Sequence, residues 1–464
     1  MAHVAGFDLY LIIGYHRFMA DNSIKLRSIE KILFYIFLFL IPLQVRMIIS
    51  WQGNDWDSTF FYLTDLLLVG VFILAAANTG LKGLRFKKTD FFLLLFLFAA
   101  AISIFVSDDK SISVFRFLKL LEFVFLYIYI MYRKEMLKSE NLFGILFVSG
   151  IFQAILAIAQ FFKQSSLGLK FIEAGTYSPG APGVATFISG AEKVMRAYGS
   201  FPHPNVLAAF LMLAIFSFYA LWLKKQIKPL AAAGLIVLIF ALFLTFSREA
   251  VFTFVVVSLV FFLVRFFQLR ALSHGEERLA AGKRTMALVL FFVVFSAASA
   301  LYILPYFKTR FVEISLQEEA IDLRFFYNKM AVEIIKEKPV FGIGIGDFVN
   351  YSRNFPAFLR AANKIANPGE MTGQQIPEWI YQPVHNIYLL IAAEIGILGA
   401  LFFVVFVIAK VINVLKRLKP KELSELAGPM VFLFAGFLII GLSDHFFWTL
   451  QSGAIMFWLG LAII

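Results

Sequence analysis

Three of the six histidines stand at the ends of predicted apolar helices: His203, His385 and His445. A neutral imidazole in such a position can take a proton from a hydroxyl group. Each of these histidines alone is typical of a structural residue. Because all three fall at the same face of the predicted bundle, we expect one of them to act as a general base.

An arginine is held between two of the predicted helices. Arg248 lies in the turn Phe246–Ala250, with Glu249 beside it. One interpretation is a snorkelling arginine that anchors the turn. The turn has no spare residues, however, so the guanidinium is fixed rather than carried on a mobile loop. A fixed guanidinium suits a phosphate or carboxylate ligand.

Two segments combine turn-forming residues with helix starts or glycines. In Arg196–Asn205, Pro204 favours the first turn of a helix, whose unpaired N–H groups attract anions. A well-capped junction is the alternative interpretation. In Pro339–Phe348, glycine recurs at alternate positions. No strand precedes this repeat and no Lys-Ser/Thr pair follows it, which excludes a nucleotide-binding loop. The glycines predict a close backbone approach or a tight turn.

Charged residues also occur inside the apolar runs. Arg116, Lys119 and Glu122 share one face of a predicted helix, and Asp65 and Arg46 lie on earlier ones. Such side chains either pair within the bundle or line a path for an ion or substrate, and both interpretations stay open. No cluster has metal-ligand spacing, so we expect no metal and no cofactor.

The composition indicates the class of protein that carries these residues. Of 464 residues, 61% are hydrophobic and 16% charged, against about 45–50% and about 25% in soluble domains. This excludes disorder, collagen and an ordinary cytosolic enzyme, and it predicts a polytopic membrane protein. The absence of cysteine excludes disulfides and thiolate sites. The net charge of +12 is interpreted as loop charge that sets topology, not as a nucleic-acid surface.

Apolar runs of about 20 residues predict an all-α bundle of about twelve transmembrane helices in a single integral membrane domain, 1–464. Basic inside segments place both termini in the cytoplasm. Two long segments, 163–203 and 305–384, then face the outside. Within the second, 318–337 has the periodicity of an amphipathic helix. The predicted spans are 30–48, 60–79, 90–107, 112–132, 141–162, 204–223, 229–247, 249–268, 286–304, 386–409, 427–443 and 447–464.

The ordered motifs resemble the O-antigen ligase and O-antigen polymerase superfamily of bacterial membrane glycosyltransferases. The most specific element is His385-Asn386, followed after nine residues by Gly396 and after two more by Gly399. Two further segments resemble family hallmarks: Arg196–Asn205 and the glycine repeat Pro339–Phe348. The motifs span about 196–464, and the topology is similar over the whole chain.

Other positions fit this resemblance with one departure. Tyr388 and Glu394 stand where family members often have an aromatic residue and an acid. The Ser247-Arg248 turn resembles the family's arginine motif, which usually has leucine four residues on. Here that position is Phe252.

The resemblance implies a GT-C-like helical fold and transfer of a glycan from an undecaprenyl-diphosphate carrier at the outer face of the bacterial plasma membrane. It requires no nucleotide sugar and no metal. A ligase would use lipid A-core or a similar hydroxyl acceptor, whereas a polymerase would extend another lipid-linked repeat. Both remain open, because acceptor choice depends on loop shape.

The residue chemistry is compatible with an inverting transfer, in which His385 deprotonates the acceptor and arginines neutralise the leaving diphosphate. A transporter for the same lipid is less favoured, because no inverted repeat is detected. The predicted site comprises His385 and Arg248 as catalytic residues, Arg196, Arg248 and Arg324 as diphosphate ligands, and His203, Asn205, Asn386, Glu394, Asp444 and His445 as supporting residues.

Overall fold

The computed structural model describes residues 25–79, 89–134, 136–189, 192–224, 228, 231–271, 275–307, 319–355, 378–417 and 427–464. This part of the chain is mainly helical, as the composition predicts. The basic residues of 80–88, 225–227 and 418–421, on which the predicted orientation partly depends, lie outside the described ranges.

The helices run in chain order from the first described segment to the last one. They are α1 (25–40), α2 (Leu63–Thr79), α3 (Asp90–Val106), α4 (Lys110–Arg133), α5 (Ser139–Lys163), α6 (Pro204–Leu223), α7 (Ala232–Leu244), α8 (Arg248–Ala271), α9 (Glu276–Tyr302), α10 (Leu304–Phe307), α11 (Glu319–Glu337), α12 (Phe348–Arg353), α13 (Ile387–Arg417), α14 (Ala427–Ile440), α15 (Phe446–Thr449) and α16 (Gln451–Ile463). A short 3-10 helix, Glu378–Ile380, precedes α13.

Two antiparallel hairpins interrupt the helical chain. Strand β1 (Arg46–Ser50) pairs with β2 (Thr59–Tyr62), and β3 (Thr186–Ser189) pairs with β4 (Glu192–Met195). The second hairpin gives part of the predicted 163–203 loop a regular structure. The first lies where the sequence predicted the end of one membrane helix and the start of the next.

The predicted span 30–48 is therefore wrong in its second half. The helix ends at residue 40, before Pro42, which has no N–H to continue the hydrogen-bond ladder. The apolar run that follows forms β1 instead. Asn54 shapes the turn, because its Oδ1 accepts hydrogen bonds from the Trp56 and Asp57 N–H groups at 2.9 and 3.0 Å. The predicted span 60–79 likewise begins as β2 and becomes helical only at Leu63.

Five helices are long and apolar enough to cross a membrane, judged by length and composition among the described residues. This confirms a membrane protein, whereas the number of twelve spans and the GT-C architecture remain predictions. The five segments are Ser139–Lys163, Pro204–Leu223, Arg248–Arg270, Arg278–Tyr302 and Ile387–Lys416. Shorter apolar helices are Leu63–Asn78, Asp90–Val106, Ala232–Leu244, Gly428–Ile440 and Gln451–Ile463.

Helix α6 forms the centre of the bundle. It is apolar on every side, and nearly all of its residues are buried. A helix that is apolar all round is stable only when neighbours cover all of its faces. Helices α5, α7 and α14 pack against it. The start of α6, with Asn205, is thereby held in the middle of the site described below.

The predicted amphipathic helix 318–337 is confirmed as α11. Its buried face presents Tyr327, Met330 and Ile334 to a cluster that includes Leu390 of α13. Phe325 points away from that cluster and is largely exposed. The packing positions Arg324 and Tyr327 close to the start of α13.

The close backbone approach that the glycine repeat predicts is confirmed where the 339–347 loop meets α13. Helix α13 is interrupted at Gly396, whose φ of +85° favours glycine. A Cβ there would lie 2.0 Å from the Val340 carbonyl oxygen. Because both backbones come this close, Gly344 N–H donates to the Glu394 carbonyl at 2.9 Å and Ile397 N–H to that of Pro339 at 2.9 Å.

The last predicted span, 447–464, is divided. Helix α15 ends at Thr449, Leu450 is extended, and α16 begins at Gln451. The single turn of α15 places Thr449 next to His445, which precedes this helix.

Candidate active site

A buried hydrogen-bonded chain joins three distant parts of the sequence. Arg196 donates through Nη2 to Asn205 Oδ1 at 2.6 Å and through Nε to the Thr245 carbonyl oxygen at 2.6 Å. Asn205 then donates through Nδ2 to Asp444 Oδ2 at 2.8 Å. The predicted residues Arg196, Asn205 and Asp444 are therefore brought together, and the end of α7 is joined to the starts of α6 and α15.

The histidines lie beside this chain. Asp444 Oδ1 accepts the backbone N–H of His445 at 2.8 Å. The ring of His445 meets the ring of His385 edge-on, with 4.7 Å between centroids. On its other side, His385 stacks on Tyr327 at 5.8 Å, and the Tyr327 hydroxyl donates to the Ile380 carbonyl oxygen. The His385 ring is thus held between α11 and the loop before α15.

His203 has a capping role. It precedes Pro204, and its Nδ1 accepts the Asn205 N–H at 3.2 Å. This bond satisfies one of the free N–H groups at the start of α6. The structure thus supports the well-capped junction. It also keeps His203 within electrostatic range of Asp444 and Arg196.

Burial lowers the pKa of the histidines. Burial lowers the pKa of His203 to about 3 and that of His445 to about 4. The pKa of His385 is well below its ordinary value, first because of burial and then because of the adjacent His445. All three imidazoles are therefore neutral at physiological pH. A neutral His385 can accept a proton.

Asp444 carries the negative charge of the cluster. Burial by itself raises the pKa of this carboxyl group, but His445, His385, Arg324 and His203 together lower the pKa to about 2. The carboxylate is ionised at neutral pH. It can stabilise an imidazolium that forms at His385 during a proton transfer.

A second carboxylate joins the same region. Glu249 Oε2 accepts the Ser443 hydroxyl at 2.7 Å and lies 3.8 Å from Arg324 Nη1. The Arg324 side chain is 40% exposed, whereas Arg196 is 5% exposed. Arg324 is therefore the cation of this cluster that is more open to a ligand. Arg196 is buried and holds Asn205.

Arg248 begins α8, one residue before Glu249, and is half-buried. This position agrees with the predicted turn between two helices, since only Thr245–Ser247 separate α7 from α8. The role predicted for its guanidinium toward a diphosphate remains a prediction.

The other two predicted supporting residues act at α13. Asn386 caps this helix, since its Oδ1 accepts the N–H groups of Tyr388 and Leu389 at 2.9 and 3.0 Å. Its Nδ2 donates to the Leu442 carbonyl at 3.0 Å, which joins α13 to the end of α14. Glu394 lies further along the helix and accepts Trp448 Nε1 at 3.0 Å. The motif therefore positions His385 through Asn386, whereas Glu394 faces a separate cavity.

Four contact residues were not predicted from the sequence: Tyr327, Trp56, Thr449 and Glu249. Tyr327 follows Arg324 at helical spacing, and Thr449 follows His445 likewise, so helical periodicity could have indicated both. Thr449 Oγ1 lies 2.7 Å from His445 Nδ1. Trp56 meets the His445 ring edge-on at 5.0 Å and comes from the unexpected hairpin.

The cluster combines a neutral histidine, an ionised carboxylate and an exposed arginine. It can accept a proton from a hydroxyl group and neutralise an anionic leaving group at the same place. Within the described ranges, no group of three or more His, Asp or Glu side chains is placed to hold a metal ion.

Comparison with known proteins extends this result. A family model described as O-Antigen ligase matches residues 233–404. The match contains Arg248, Arg324, His385 and Gly396, whereas Arg196, Asn205 and Asp444 lie outside it. No curated protein matches the chain. The family supports a function of the O-antigen ligase or polymerase type, with a lipid-linked glycan and an acceptor as partners in a membrane. The match over residues 233–404 supports the resemblance of this chain to the O-antigen ligase superfamily.

Proposed function

We propose that the protein is a glycosyltransferase that moves a glycan from an undecaprenyl-diphosphate carrier to a hydroxyl acceptor at the outer face of the bacterial plasma membrane. The observation that carries this proposal is the position of His385. Its ring lies against His445 and Tyr327, close to the ionised Asp444 and the partly exposed Arg324.

The reaction begins at the acceptor hydroxyl. His385 removes its proton as the oxygen attacks the anomeric carbon of the donor, and the bond from that carbon to the diphosphate oxygen breaks. The electron pair leaves with undecaprenyl diphosphate. Because attack occurs opposite the leaving group, the anomeric configuration inverts. Asp444 stabilises the imidazolium until the proton is released.

The arginines stabilise the charge that develops on the leaving group. Arg324 is exposed enough to bind a phosphate oxygen directly. Arg248 is the residue before Glu249, which is the ion-pair partner of Arg324. Arg196 adds positive charge from behind, while Asn205 and Thr245 fix its position. The reaction as proposed uses no nucleotide sugar, no metal and no other cofactor.

The predicted topology is compatible with this site. The charge distribution assigns four parts of the site to the outside. They are the helix starts near Asn205, Glu249 and His385 and the loop at Asp444. Arg196, Ser443 and Arg324 reach the same ends by direct contacts. A lipid-linked donor would reach the site from the apolar side of the bundle.

The test is transfer by the purified protein in detergent. The protein receives undecaprenyl-diphosphate glycan with or without lipid A-core, beside His385→Ala and a control, Lys336→Gln, whose ion pair with Glu333 is exposed. We expect product from wild type and control, and a loss of at least about a hundredfold in His385→Ala, the lower range for removal of a general base.

The products distinguish the alternatives. Glycan on lipid A-core identifies a ligase. Longer lipid-linked chains without added acceptor identify a polymerase. If His385→Ala transfers at the wild-type rate, the proposed base is wrong. If the wild type binds the carrier lipid but forms no product with either acceptor, the proposed transfer is contradicted and transport of the lipid becomes the better hypothesis.

A further inference from the structure

A second cavity lies next to the histidine cluster. It lies between the 51–58 turn of the first hairpin, the first half of α4, residues 345–349 and residues 447–454. Its walls combine aromatic rings with charged and amide side chains. The residues that matter below are Trp56, Phe115, Arg116, Glu394, Trp448 and Gln451.

The polar groups of this cavity are held in place. Arg116 donates through Nη2 to the Trp56 carbonyl oxygen at 2.9 Å and through Nη1 to that of Thr449 at 3.2 Å. A guanidinium has five N–H donors, and these bonds use two of them among the described contacts. The remaining donors are available to a ligand in the cavity.

The carboxylates and amides are similarly fixed. Glu394 is buried and accepts Trp448 Nε1 at 3.0 Å. Gln451 donates to Asp65 Oδ1 at 2.5 Å, and Asp65 also binds Lys119. Lys119 has a second partner, Glu122, at 3.3 Å. Lys119, Asp65 and Glu122 are therefore paired with one another, as the first of the two sequence interpretations expected, whereas Arg116 is held by backbone carbonyl oxygens. The cavity presents oriented donors and acceptors instead of a line of separate charges.

The cavity shares two residues with the proposed catalytic cluster. Trp56 contacts the His445 ring and accepts the bond from Arg116 through its carbonyl. Thr449 contacts His445 Nδ1 and also accepts a bond from Arg116. Asn205, at the start of α6, binds Asp444 and is itself held by Arg196. A ligand in the cavity would thus lie against Trp56 and Thr449, the two residues that contact His445, and not at Arg196 or Arg324.

We propose that this cavity binds a terminal sugar of the acceptor glycan and presents its hydroxyl group to the histidine pair. Sugar rings offer apolar C–H faces to aromatic rings such as Trp56, Phe115 and Trp448, and hydroxyl groups to planar polar groups. Arg116 and Glu394 provide a donor and an acceptor across the same cavity. This inference rests on the proposed transfer reaction and adds the place where its second substrate binds.

The absence of cysteine allows a direct binding test. Phe115→Cys gives the protein a single thiol in the cavity wall, and Lys336→Cys gives a control thiol on the exposed side of α11. The probes are two oligosaccharides, the core released from lipid A and the repeat unit released from its carrier. We expect one of them at millimolar concentration to slow maleimide labelling at 115 at least threefold and to leave labelling at 336 unchanged. The effective probe distinguishes a lipid A-core acceptor from a repeat-unit acceptor.

Kinetics provide the second measurement. In Arg116→Gln, which removes the charge and most donors, the KM for the acceptor should rise about tenfold and the KM for undecaprenyl-diphosphate glycan should stay within twofold. Arg116→Lys keeps the charge but not the planar fork, so its KM for the acceptor should lie between those of the wild type and Arg116→Gln. A purely structural role for Arg116 would lower the melting temperature and affect both KM values together.

The outcomes separate this inference from the proposed function. Transfer with an unchanged acceptor KM in Arg116→Gln overturns the sugar site and leaves the transferase intact. Protection of the thiol by an oligosaccharide, without any transfer by the wild type, retains the sugar site and overturns the transferase. Protection that persists unchanged in Phe115→Cys combined with Arg116→Gln overturns the role of Arg116.

Discussion

The carboxamide of Asn205 joins Asp444 through a 2.8 Å hydrogen bond from Nδ2 to Oδ2, although 239 positions separate the two residues. The same carboxamide accepts a bond from Arg196 through its oxygen. Asn205 thus lies between a cation and an anion and uses both ends of its amide. It fixes the Asp444 carboxylate, next to which His445 and His385 are arranged.

Asn205→Ala should therefore reduce both stability and transfer. The change leaves one donor of Arg196 and one acceptor of Asp444 buried without their partner, which costs about 1–3 kcal/mol for each group. We expect the melting temperature to fall by several degrees and transfer to fall at least tenfold. Thermal unfolding in detergent, recorded with transfer activity, measures both effects.

Val206→Ala is the matched control for that experiment. Val206 is the next residue of α6, is buried and takes no part in the hydrogen-bonded chain. It should lose stability by about 1 kcal/mol or somewhat more through the cavity left behind, but keep most of its activity relative to folded protein. Equal activity losses in the two variants would contradict a specific role for Asn205.

The transfer rate should be maintained to lower pH than it would be with an ordinary histidine base. Burial and the adjacent His445 hold the pKa of His385 well below its usual value, so less of this base should be protonated between pH 5 and 7 than of an ordinary histidine. We expect kcat/KM to change by less than about threefold over this range. An acid limb centred near pH 6.5, the ordinary value for histidine, would show that His385 is not the base or is not buried in the free enzyme.

Stability should change in the same pH range even though activity does not. The folded-state pKa of His445 is about 4 and that of His203 about 3, both below the unfolded value. As the pH falls through about 6.5, the unfolded chain binds protons that the folded protein does not, so stability decreases toward pH 4. The melting temperature should therefore drop between pH 7 and pH 4.5.

His445→Gln isolates one part of this effect, because glutamine does not titrate. Its melting temperature should depend less on pH over the same range, whatever its value at pH 7. If the wild type and His445→Gln lose stability in parallel, the pH dependence arises from other groups.

Asp444→Asn should show how much the negative charge of Asp444 contributes. Asparagine has nearly the same shape, and its one carbonyl oxygen can still accept the bond from Asn205, but its NH2 group then faces the His445 N–H and the negative charge close to Arg324 and the three histidines is lost. Without that charge the imidazolium at His385 is less stable, and kcat should fall at least tenfold with a change of only a few degrees in melting temperature. Wild-type kcat in this variant would show that Asp444 only holds the fold.

Gly396→Ala tests the structural role of the glycine signature. Gly396 has a φ of +85°, and an added Cβ would lie 2.0 Å from the Val340 carbonyl oxygen. The positive-φ extended backbone alone costs about 1–3 kcal/mol for alanine, and the contact requires the 339–347 loop to move. We expect strong destabilisation or low yield of folded protein, measured by size-exclusion chromatography in detergent.

Gly144→Ala is the matched control, because an added Cβ there meets nothing within 4 Å and alanine favours the interior of α5. This variant should be as stable as the wild type or slightly more stable. If Gly396→Ala were equally well tolerated, the close approach of the two backbones would be incorrect.

The sequence by itself determined the features that depend on local pattern. Mean hydropathy and charge indicate a membrane protein, periodicity predicts the helix found at Glu319–Glu337, and Pro204 marks the start of α6. The start of α13 is also local, because the capping residue Asn386 acts within a few positions. These interactions are set by neighbours in the chain, so their residue types and spacing are sufficient to predict them.

Only the tertiary structure decided which distant residues meet. A short apolar run fits a strand as well as a helix, so the pairing of Arg46–Ser50 with Thr59–Tyr62 depended on the partner strand. This hairpin carries Trp56 to His445 and shapes the second cavity. Asp444 and Glu249 lie at the ends of helices that pack around α6, and Arg324 joins them because α11 packs against α13. Such contacts depend on how helices pack, and no local pattern encodes that arrangement.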